Sequence, residues 1–273
     1  MHGTYPDIGG IARLIRRTDD APLEGVFDSH WTDQAAELIP PSKLAAASSF
    51  LAPFVDSLRR ELGDHPPLVL DAGAGDGVHA CVLDQTTQAI AYVGFDLSIE
   101  ALRVLQRRLP ASATLVQGDV AVLPFVDNTF DAVFSFGVLG YTSTPQRAFS
   151  EMCRVTRPGG MIGLWVYPDR QTFSMRLFRM VRWLAEITGS WGKYLLANAI
   201  VPFLPVLPTR SKVHLGNATW KQCREVVMVN FYPGLYFPTR DEVRRWFEDC
   251  GVDITADDVT EPITLWGVKK ACY

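Results

Sequence analysis

Short apolar runs alternate with amphipathic stretches through the middle of this chain. Five segments have the nearly continuous apolar character of buried parallel strands, namely residues 68–70, 89–95, 113–117, 130–135 and 161–167. Helix-like segments separate them, and the clearest one has Ser98 as its N-cap and leucines 102, 105 and 109 on one face. Strands that alternate with helices predict an α/β fold with a doubly wound, mostly parallel sheet.

The end of the chain predicts one more helix and two more strands. The helix begins at Thr239, because Thr239 and Glu242 have the spacing of a capping box. Strand-like segments follow at 252–254 and 263–268, which brings the expected sheet to seven strands.

Two further regions flank the sheet. Residues 43–62 form an amphipathic stretch that should pack on the core as a helical cap, and Pro53 should kink or split it. Residues 168–238 are unusually apolar and predict two helices, over 173–184 and 194–207, the second broken by prolines. Four parts are expected. Residues 1–62 form an N-terminal extension with the cap helix, and residues 63–167 form the core. Residues 168–238 are an inserted helical region, and residues 239–273 supply a final helix with two strands.

Composition favours a globular enzyme. The 273 residues are 48% hydrophobic and 21% charged, with a formal net charge of -4, which argues against nucleic acid as a partner. The arginines between 170 and 182 are interpreted as a solvated helix face.

No apolar run spans a bilayer, and residues 1–17 lack the apolar core of a secretion signal, so a cytoplasmic location is expected. The five cysteines are scattered and predict neither disulfides nor a metal site.

The most informative motif is a glycine loop over residues 71–77, which read Asp-Ala-Gly-Ala-Gly-Asp-Gly. The loop follows a strand and precedes a helix, where glycine lets a ligand approach the backbone and the positive end of the helix. A dinucleotide fingerprint would place its third glycine at position 78, but Val78 stands there and the glycine is Gly77.

Acidic residues end three successive predicted strands. Asp71 ends the first, Asp96 follows the second about twenty residues beyond the loop, and Asp119 follows the third. The carboxyl ends of parallel strands share one edge of the sheet, so these carboxylates should surround one ligand. Asp131 stands at the start of a strand and is interpreted as structural.

The pattern D-x-G-x-G-x-G at residues 71–77 resembles the first motif of the class I S-adenosylmethionine-dependent methyltransferases. Residues 67–166 also follow that family's order of strands and helices. The resemblance implies the Rossmann-like methyltransferase fold, whose last two strands form a hairpin with one antiparallel strand. It also implies that Asp96 holds the ribose, that Leu97 packs on the adenine, and that Asp119 and the Val120 amide bind the adenine edge. The other cofactor-binding positions it implies are Asp71, Ala72, Gly73, Gly75, Gly77, Gly118, Ser135 and Phe136.

The family transfers a methyl group by direct displacement, so orientation matters more than any single catalytic residue. A base is needed only when the acceptor must lose a proton. The candidates by position are Tyr141, His214, His30 and Tyr232, with Asn230 and Tyr236 as further residues of the insertion. They could equally position the substrate. His79 is expected to be buried and His65 to lie in a surface turn.

Several acceptor classes lack their signatures. Residues 135–139 do not carry the Asn/Asp-Pro-Pro-aromatic motif of enzymes that methylate base amino groups, and no Pro-Cys dipeptide occurs. What remains is similar to the small-molecule methyltransferases of quinone biosynthesis. Additions at the place of residues 168–238 commonly form a lid in this fold. An apolar lid favours a hydrophobic small-molecule acceptor and a peripheral contact with a membrane, although core packing or a dimer face would also explain it.

Three other interpretations stay open from the sequence. The chain could bind the cofactor as a regulatory partner without turnover. It could use the sulfonium charge for a reaction other than methylation. A nicotinamide dehydrogenase is disfavoured by Val78. The acceptor, the methylated atom and the choice between monomer and homodimer are not determined by the sequence.

Overall fold

The computed structural model describes most of the sheet and the helices around it. The described residues are 9–14, 27–28, 31, 39–60, 65–85, 89–109, 113–169, 173–203, 220, 224, 227, 235–259 and 262–271.

One mostly parallel sheet organises the molecule. Its strands in chain order are β1 (Ile11–Arg13), β2 (Leu68–Ala72), β3 (Ala91–Asp96), β4 (Thr114–Gln117), β5 (Phe130–Phe136), β6 (Thr156–Val166), β7 (Val252–Asp258) and β8 (Ile263–Lys269). Their spatial order is β1-β4-β3-β2-β5-β6-β8-β7. Only the pairs that involve β8 are antiparallel among the described pairings, as the hairpin predicted for the end of the chain requires.

The expected number of seven strands is wrong, because the described sheet has eight. The additional strand is β1, which pairs in parallel with β4 through Ile11 and Leu115. Three residues are too few to show the alternation that identifies a strand in a sequence. Ile11 is nevertheless fully buried, so tertiary contacts hold this edge strand in place.

The helices lie on the two faces of the sheet and in the insertion. In chain order they are α1 (Pro41–Arg60), α2 (Val78–Asp84), α3 (Ile99–Arg108), α4 (Pro145–Val155), α5 (Phe173–Ile187), α6 (Gly189–Ile200) and α7 (Arg240–Asp249), with short 3-10 turns at Leu139–Tyr141 and Val201–Phe203.

Local capping signals were read correctly from the sequence. The Ser98 hydroxyl accepts from the Ala101 amide at 3.1 Å and caps α3. Thr239 and Glu242 form both hydrogen bonds of the capping box at α7. Such signals depend on residues within one turn of each other, which is why sequence alone predicts them.

Two local expectations differ from the structure. Helix α1 is not split at Pro53, because Phe50, Leu51 and Phe54 are all buried against the sheet and hold the helix on both sides of the proline. The strand expected at 161–167 begins earlier, at Thr156, and residues 157–160 belong to it as an irregularity, since the register moves from Phe130 opposite Thr156 to Ala132 opposite Met161.

Apolar side chains fill both faces of the sheet. On one face Leu70, Val133 and Leu164 pack with α4 and α7. On the other face Val69, Phe134 and Trp266 pack with α1 and α3. The indole N–H of Trp266 donates to the Phe50 carbonyl at 2.8 Å and ties α1 to β8. This two-sided core fixes the strand ends on which the site is built.

Candidate functional site

The site lies where the strand order reverses. From β2 the chain proceeds to β3 and β4 on one side, and then crosses to β5 on the other side. In open parallel sheets this reversal leaves a crevice at the carboxyl ends of the strands, which is where ligands bind. The glycine loop follows β2 at this point.

Backbone hydrogen bonds hold the glycine loop against β3. The Gly73 and Ala74 amides both donate to the Phe95 carbonyl, at 2.7 and 3.0 Å. Gly73, Gly75 and Gly77 have φ values of 103°, 52° and 79°, a region that side chains disfavour. A Cβ atom at Gly75 would meet the Trp31 ring at 3.2 Å, so the indole packs directly on the bare backbone of the loop.

Asp96 joins the loop to the end of β3. One carboxylate oxygen accepts from the Gly75 amide at 2.8 Å, and the other accepts from the Ser98 amide at 2.9 Å. Burial raises the pKa of Asp96 to about 6, and the nearby Asp28 carboxylate adds to this effect, while the amides of Ser98, Gly75 and Leu97 oppose it. A carboxylate has about four acceptor positions, more than these backbone amides occupy, so acceptor capacity remains for a ligand.

Residues of the N-terminal extension lie beside this junction. The Asp28 carboxylate accepts from the Ser98 hydroxyl at 2.5 Å, and the Phe27 ring packs edge-on against Tyr141 at 5.6 Å. Sequence reasoning did not assign Asp28 or Trp31 to the site. No local motif identifies them, because only the tertiary fold brings them to the loop.

A buried ion cluster closes the other side of the loop. Asp76 binds Lys43 at 2.7 Å and Arg108 at 3.2 Å. Burial alone would raise the pKa of Asp76, but these two cations hold it below its usual value. Lys43 also lies 5.6 Å from the centre of the Trp31 ring, so the cluster connects α1, the loop and α3.

Asp71 lies beneath the loop and is completely buried. Its carboxylate accepts from the Tyr92 hydroxyl at 2.9 Å and lies 3.9 Å from Nδ1 of His79. Burial raises the pKa of Asp71 to about 8 and lowers the pKa of His79 to about 4. One oxygen of Asp71 and Nε2 of His79 are among the buried atoms of the described residues without a hydrogen-bond partner. His79 is buried, as predicted.

The segment after β4 forms a second wall of the crevice. The Asp119 carboxylate accepts from the Ala121 amide at 2.8 Å and shapes a tight turn. Val120 is buried, while Leu97 and Asp119 are half-buried. The Gly118 amide donates to the Asp96 carbonyl at 2.9 Å, so this wall is fastened to the junction around Asp96.

The two positions on β5 that were predicted to bind the cofactor differ in exposure, since Ser135 is buried and Phe136 is half-buried. The buried Ser135 hydroxyl donates to the Ala72 carbonyl at 2.7 Å and fixes β5 against β2. Phe136 is half-buried and stacks on Trp165, with ring centres 4.2 Å apart. Asp131 stands at the opposite end of the sheet, where it accepts from the Leu68 amide at 2.7 Å, consistent with its structural interpretation.

A small aromatic cleft opens beyond the carboxyl ends of β5 and β6. Tyr141, Tyr167, Tyr236 and Phe237 line it together with Gly137 and Leu235. The Tyr236 amide donates to the Gly140 carbonyl at 2.7 Å, which joins the end of the insertion to the turn after β5. Burial raises the pKa of Tyr141 well above its usual range and that of Tyr236 to about 12, so both hydroxyls stay protonated at neutral pH. The Tyr236 hydroxyl donates its proton to the Glu242 carboxylate.

The structure therefore brings one of the four predicted catalytic candidates, Tyr141, to this cleft. The other three, His30, His214 and Tyr232, lie outside the described residues, as does Asn230. Tyr167 and Phe237 were not predicted, because their aromatic character alone does not distinguish them from core residues.

Known proteins match the chain in this same region. A family model described as a methyltransferase domain matches residues 70–164. A demethylmenaquinone methyltransferase of Paenarthrobacter aurescens is 37% identical over 203 residues, which are 74% of this chain and 67% of that protein. The corresponding enzyme of Renibacterium salmoninarum is 41% identical over 129 residues, or 45% of this chain and 53% of that protein. The chain spans about half the length of most curated relatives it matches.

Solved structures agree on the fold. Magnesium protoporphyrin IX methyltransferase from Synechocystis PCC 6803, solved with bound S-adenosylhomocysteine, superposes with a TM-score of 0.57. The alignment covers 92% of this chain and all of that one, at 14% sequence identity.

Proposed function

Because the chain belongs to the class I S-adenosylmethionine-dependent methyltransferases, we propose that it transfers a methyl group from this cofactor to a hydrophobic small molecule. The observation that carries the proposal is the junction of the glycine loop with Asp96. It presents a carboxylate and a bare backbone surface at the point where the sheet binds ligands.

The residues of the crevice fit a nucleoside cofactor. Asp96 keeps acceptor capacity for a ribose hydroxyl beyond the backbone amides it already binds. Asp119, Leu97 and the Val120 amide stand along the neighbouring wall, where an adenine ring would lie between an apolar surface and polar groups. The bare backbone at Gly75 lets a flat ring approach closely, as the Trp31 ring does, and a Cβ atom would obstruct that approach.

When bound, S-adenosylmethionine supplies an electrophilic methyl group on a positively charged sulfur. The chain then has to orient the acceptor toward that methyl group and exclude water. The aromatic cleft beside Tyr141 has a volume of only about 10 Å³, which is room for one water molecule, so it would have to widen to admit the acceptor. The Tyr141 hydroxyl would then donate a hydrogen bond to a polar atom of the acceptor. Trp31 and Asp28 would close the crevice from the N-terminal side.

A hydrophobic acceptor is supported by the lining of the cleft. Its described walls are aromatic or aliphatic, with tyrosine hydroxyls as the polar groups. The relatives named above act, by their names, on demethylmenaquinone. A quinone-like or lipid-like acceptor with one hydroxyl or acidic carbon would match this combination of an apolar wall and a few hydrogen-bond donors.

Each of the four parts of the chain has a role in this function. Residues 1–62 act as the cap, 63–167 bind the cofactor, 168–238 form the lid, and 239–273 complete the sheet. The protein acts as a monomer or homodimer. No helix among the described residues is long and apolar enough to cross a membrane.

Calorimetric titration of the full chain with S-adenosylmethionine, S-adenosylhomocysteine and NAD tests the cofactor. Micromolar binding of the first two, without binding of NAD, is expected. Incubation with labelled S-adenosylmethionine and demethylated quinols should then yield a methylated product together with S-adenosylhomocysteine. Binding without release of S-adenosylhomocysteine on any acceptor would favour a regulatory or non-methylating protein.

A further inference from the structure

The outward faces of α5 and α6 carry large apolar side chains that the fold leaves exposed. On α5 they recur at the spacing of one helix face, and on α6 they continue that surface. We call this surface the outer lid face, and its members are Met180, Trp183, Leu184, Ile187, Trp191 and Leu195. Their exposed fractions run from 40% at Leu184 to 81% at Trp191, far above those of core residues.

Packing between the two helices does not account for these side chains. The contact between α5 and α6 is made by a separate set of residues, including the fully buried Ala185 and Ala197 with the neighbouring Val201. Each helix is thus apolar on two faces, and only the inward face is covered. An exposed apolar surface of this kind marks an interaction site.

The surface ends in a narrow tip. Thr188 alone separates α5 from α6, and Gly189 has a φ of 65° that permits the tight connection. A Cβ atom at Gly189 would meet no atom within 4 Å. Ile187 and Trp191 flank this turn and are 61% and 81% exposed, so the apolar tip projects away from its surroundings.

Basic side chains accompany the outer lid face. Residues 173–203 contain four basic residues and one acidic residue. Arg179 binds Asp169, and the mostly buried Arg182 lies near Glu186, so Arg176 and Lys193 carry the positive charge that a partner can meet. Arg176 is exposed and lies one helical turn before Met180 on the same face. Arg224 stacks over the ring of the half-exposed Tyr194, at 4.9 Å. Tryptophan and aliphatic side chains beside arginine are typical of segments that lie in the interface of an anionic membrane.

We propose that the outer lid face docks on the surface of an anionic phospholipid bilayer, with Ile187 and Trp191 inserted among the acyl chains. The helices then lie in the interface, and the basic side chains contact phosphate or carboxylate groups of the lipids. The inference rests on the proposed function in one respect, since an acceptor dissolved in the membrane could enter the cleft from this side. Docking itself requires neither cofactor nor turnover.

Vesicle binding by the full-length protein tests the proposal. We expect cosedimentation with vesicles of phosphatidylcholine and phosphatidylserine, weaker binding to phosphatidylcholine alone, and quenching of tryptophan fluorescence by brominated acyl chains. Ile187→Glu and Trp191→Glu should each lower the partition coefficient by about tenfold or more, because a carboxylate replaces an apolar anchor. Arg176→Glu should remove most of the preference for anionic lipid.

Val126→Glu is the matched control, since Val126 is an apolar residue of similar exposure, 79%, outside the lid. It should leave vesicle binding unchanged. Equal binding by wild type and the two lid variants would overturn the proposal, as would absence of wild-type binding. Light scattering without vesicles measures the oligomeric state. If the wild type is a dimer and the lid variants are monomers, a second copy of the chain covers this face instead of a membrane.

Failure of the docking proposal and failure of the proposed function remain distinguishable. Titration with S-adenosylmethionine reports on the crevice, which the lid variants do not alter. A protein that binds the cofactor but no vesicles would retain the proposed function and lose the docking surface. A protein that binds vesicles but no cofactor would retain the docking surface and lose the proposed function.

Discussion

The Gly75 amide donates to the Asp96 carboxylate at 2.8 Å, across 21 residues of sequence. The same carboxylate also accepts from the Ser98 amide. One side chain thereby sets the glycine loop, the end of β3 and the start of α3 relative to each other. A ligand held by Asp96 is consequently held against the loop as well.

Asp96→Ala should weaken binding of S-adenosylmethionine by roughly ten- to more than a hundredfold. The expected loss is about 1.5–3 kcal/mol, the range for hydrogen bonds to a charged group. Calorimetry on the folded variant measures it. Asp131→Ala is the control, because Asp131 also accepts a backbone amide but stands at the other end of the sheet. Unchanged cofactor affinity in Asp96→Ala would refute the ribose assignment.

Gly75→Val should abolish cofactor binding by obstructing the loop surface. The substitution also strains a backbone with a φ of 52°, at a cost of about 1–2 kcal/mol. Gly251→Val separates the two effects, since Gly251 has a φ of 66° and open space around its Cβ position. Both variants should lower the melting temperature, whereas only the change at Gly75 should alter binding. Equal cofactor affinity in both would mean that the loop is purely structural.

Asp71 should make the protein less stable as the pH rises from about 4 to 8. Its pKa is about 8 in the folded state and 3.8 ordinarily, so within this window the folded state binds the extra proton and rising pH favours unfolding. Asp71→Asn removes this dependence. The gain in melting temperature of the variant over wild type should therefore grow between pH 5 and 8. A constant difference across that range would contradict a buried, protonated Asp71.

His79 contributes a slope of opposite sign. Its pKa is about 4 in the folded state and 6.5 ordinarily, so stability should be lost as the pH falls from 6.5 toward 4. His79→Phe, which keeps an aromatic ring beside Phe136, should flatten the acidic limb of the stability profile. Thermal melts of wild type and variant between pH 4 and 7 measure the change, and parallel curves would count against it.

Tyr141→Phe should lower kcat/KM for methyl transfer by about tenfold, the value of one lost hydrogen bond. Cofactor affinity should stay unchanged, since Tyr141 lines the acceptor cleft. Tyr194→Phe serves as the control because Tyr194 lies on the lid helix α6, outside that lining. If both variants retain full activity, the Tyr141 hydroxyl does not orient the acceptor.

The sequence was most informative where structure depends on near neighbours. The capping box at Thr239, the N-cap at Ser98 and the glycine loop each depend on a few consecutive residues. The order of strands and helices followed from apolar periodicity in the same way. Asp96 was identified correctly as the residue at the end of β3, although its bonds to the Gly75 and Ser98 amides were not foreseen.

Other features depend on contacts between distant segments. Strand β1 is too short to be recognised and exists through its pairing with β4. Helix α1 runs through Pro53 because its buried face is held by the sheet and by Trp266. Asp28 and Trp31 reach the glycine loop only when the N-terminal extension folds over it.

By itself the sequence determined the fold class, because propensity, periodicity and turn chemistry act over short distances, and the resemblance of its glycine motif to the methyltransferases indicated the cofactor. Only the tertiary structure decided that Asp71 is sealed beneath the loop while Asp96 faces the crevice, since burial depends on what packs above a residue. It likewise decided which apolar faces of α5 and α6 are covered. An apolar stripe has the same appearance in a sequence whether it faces a neighbouring helix or remains exposed.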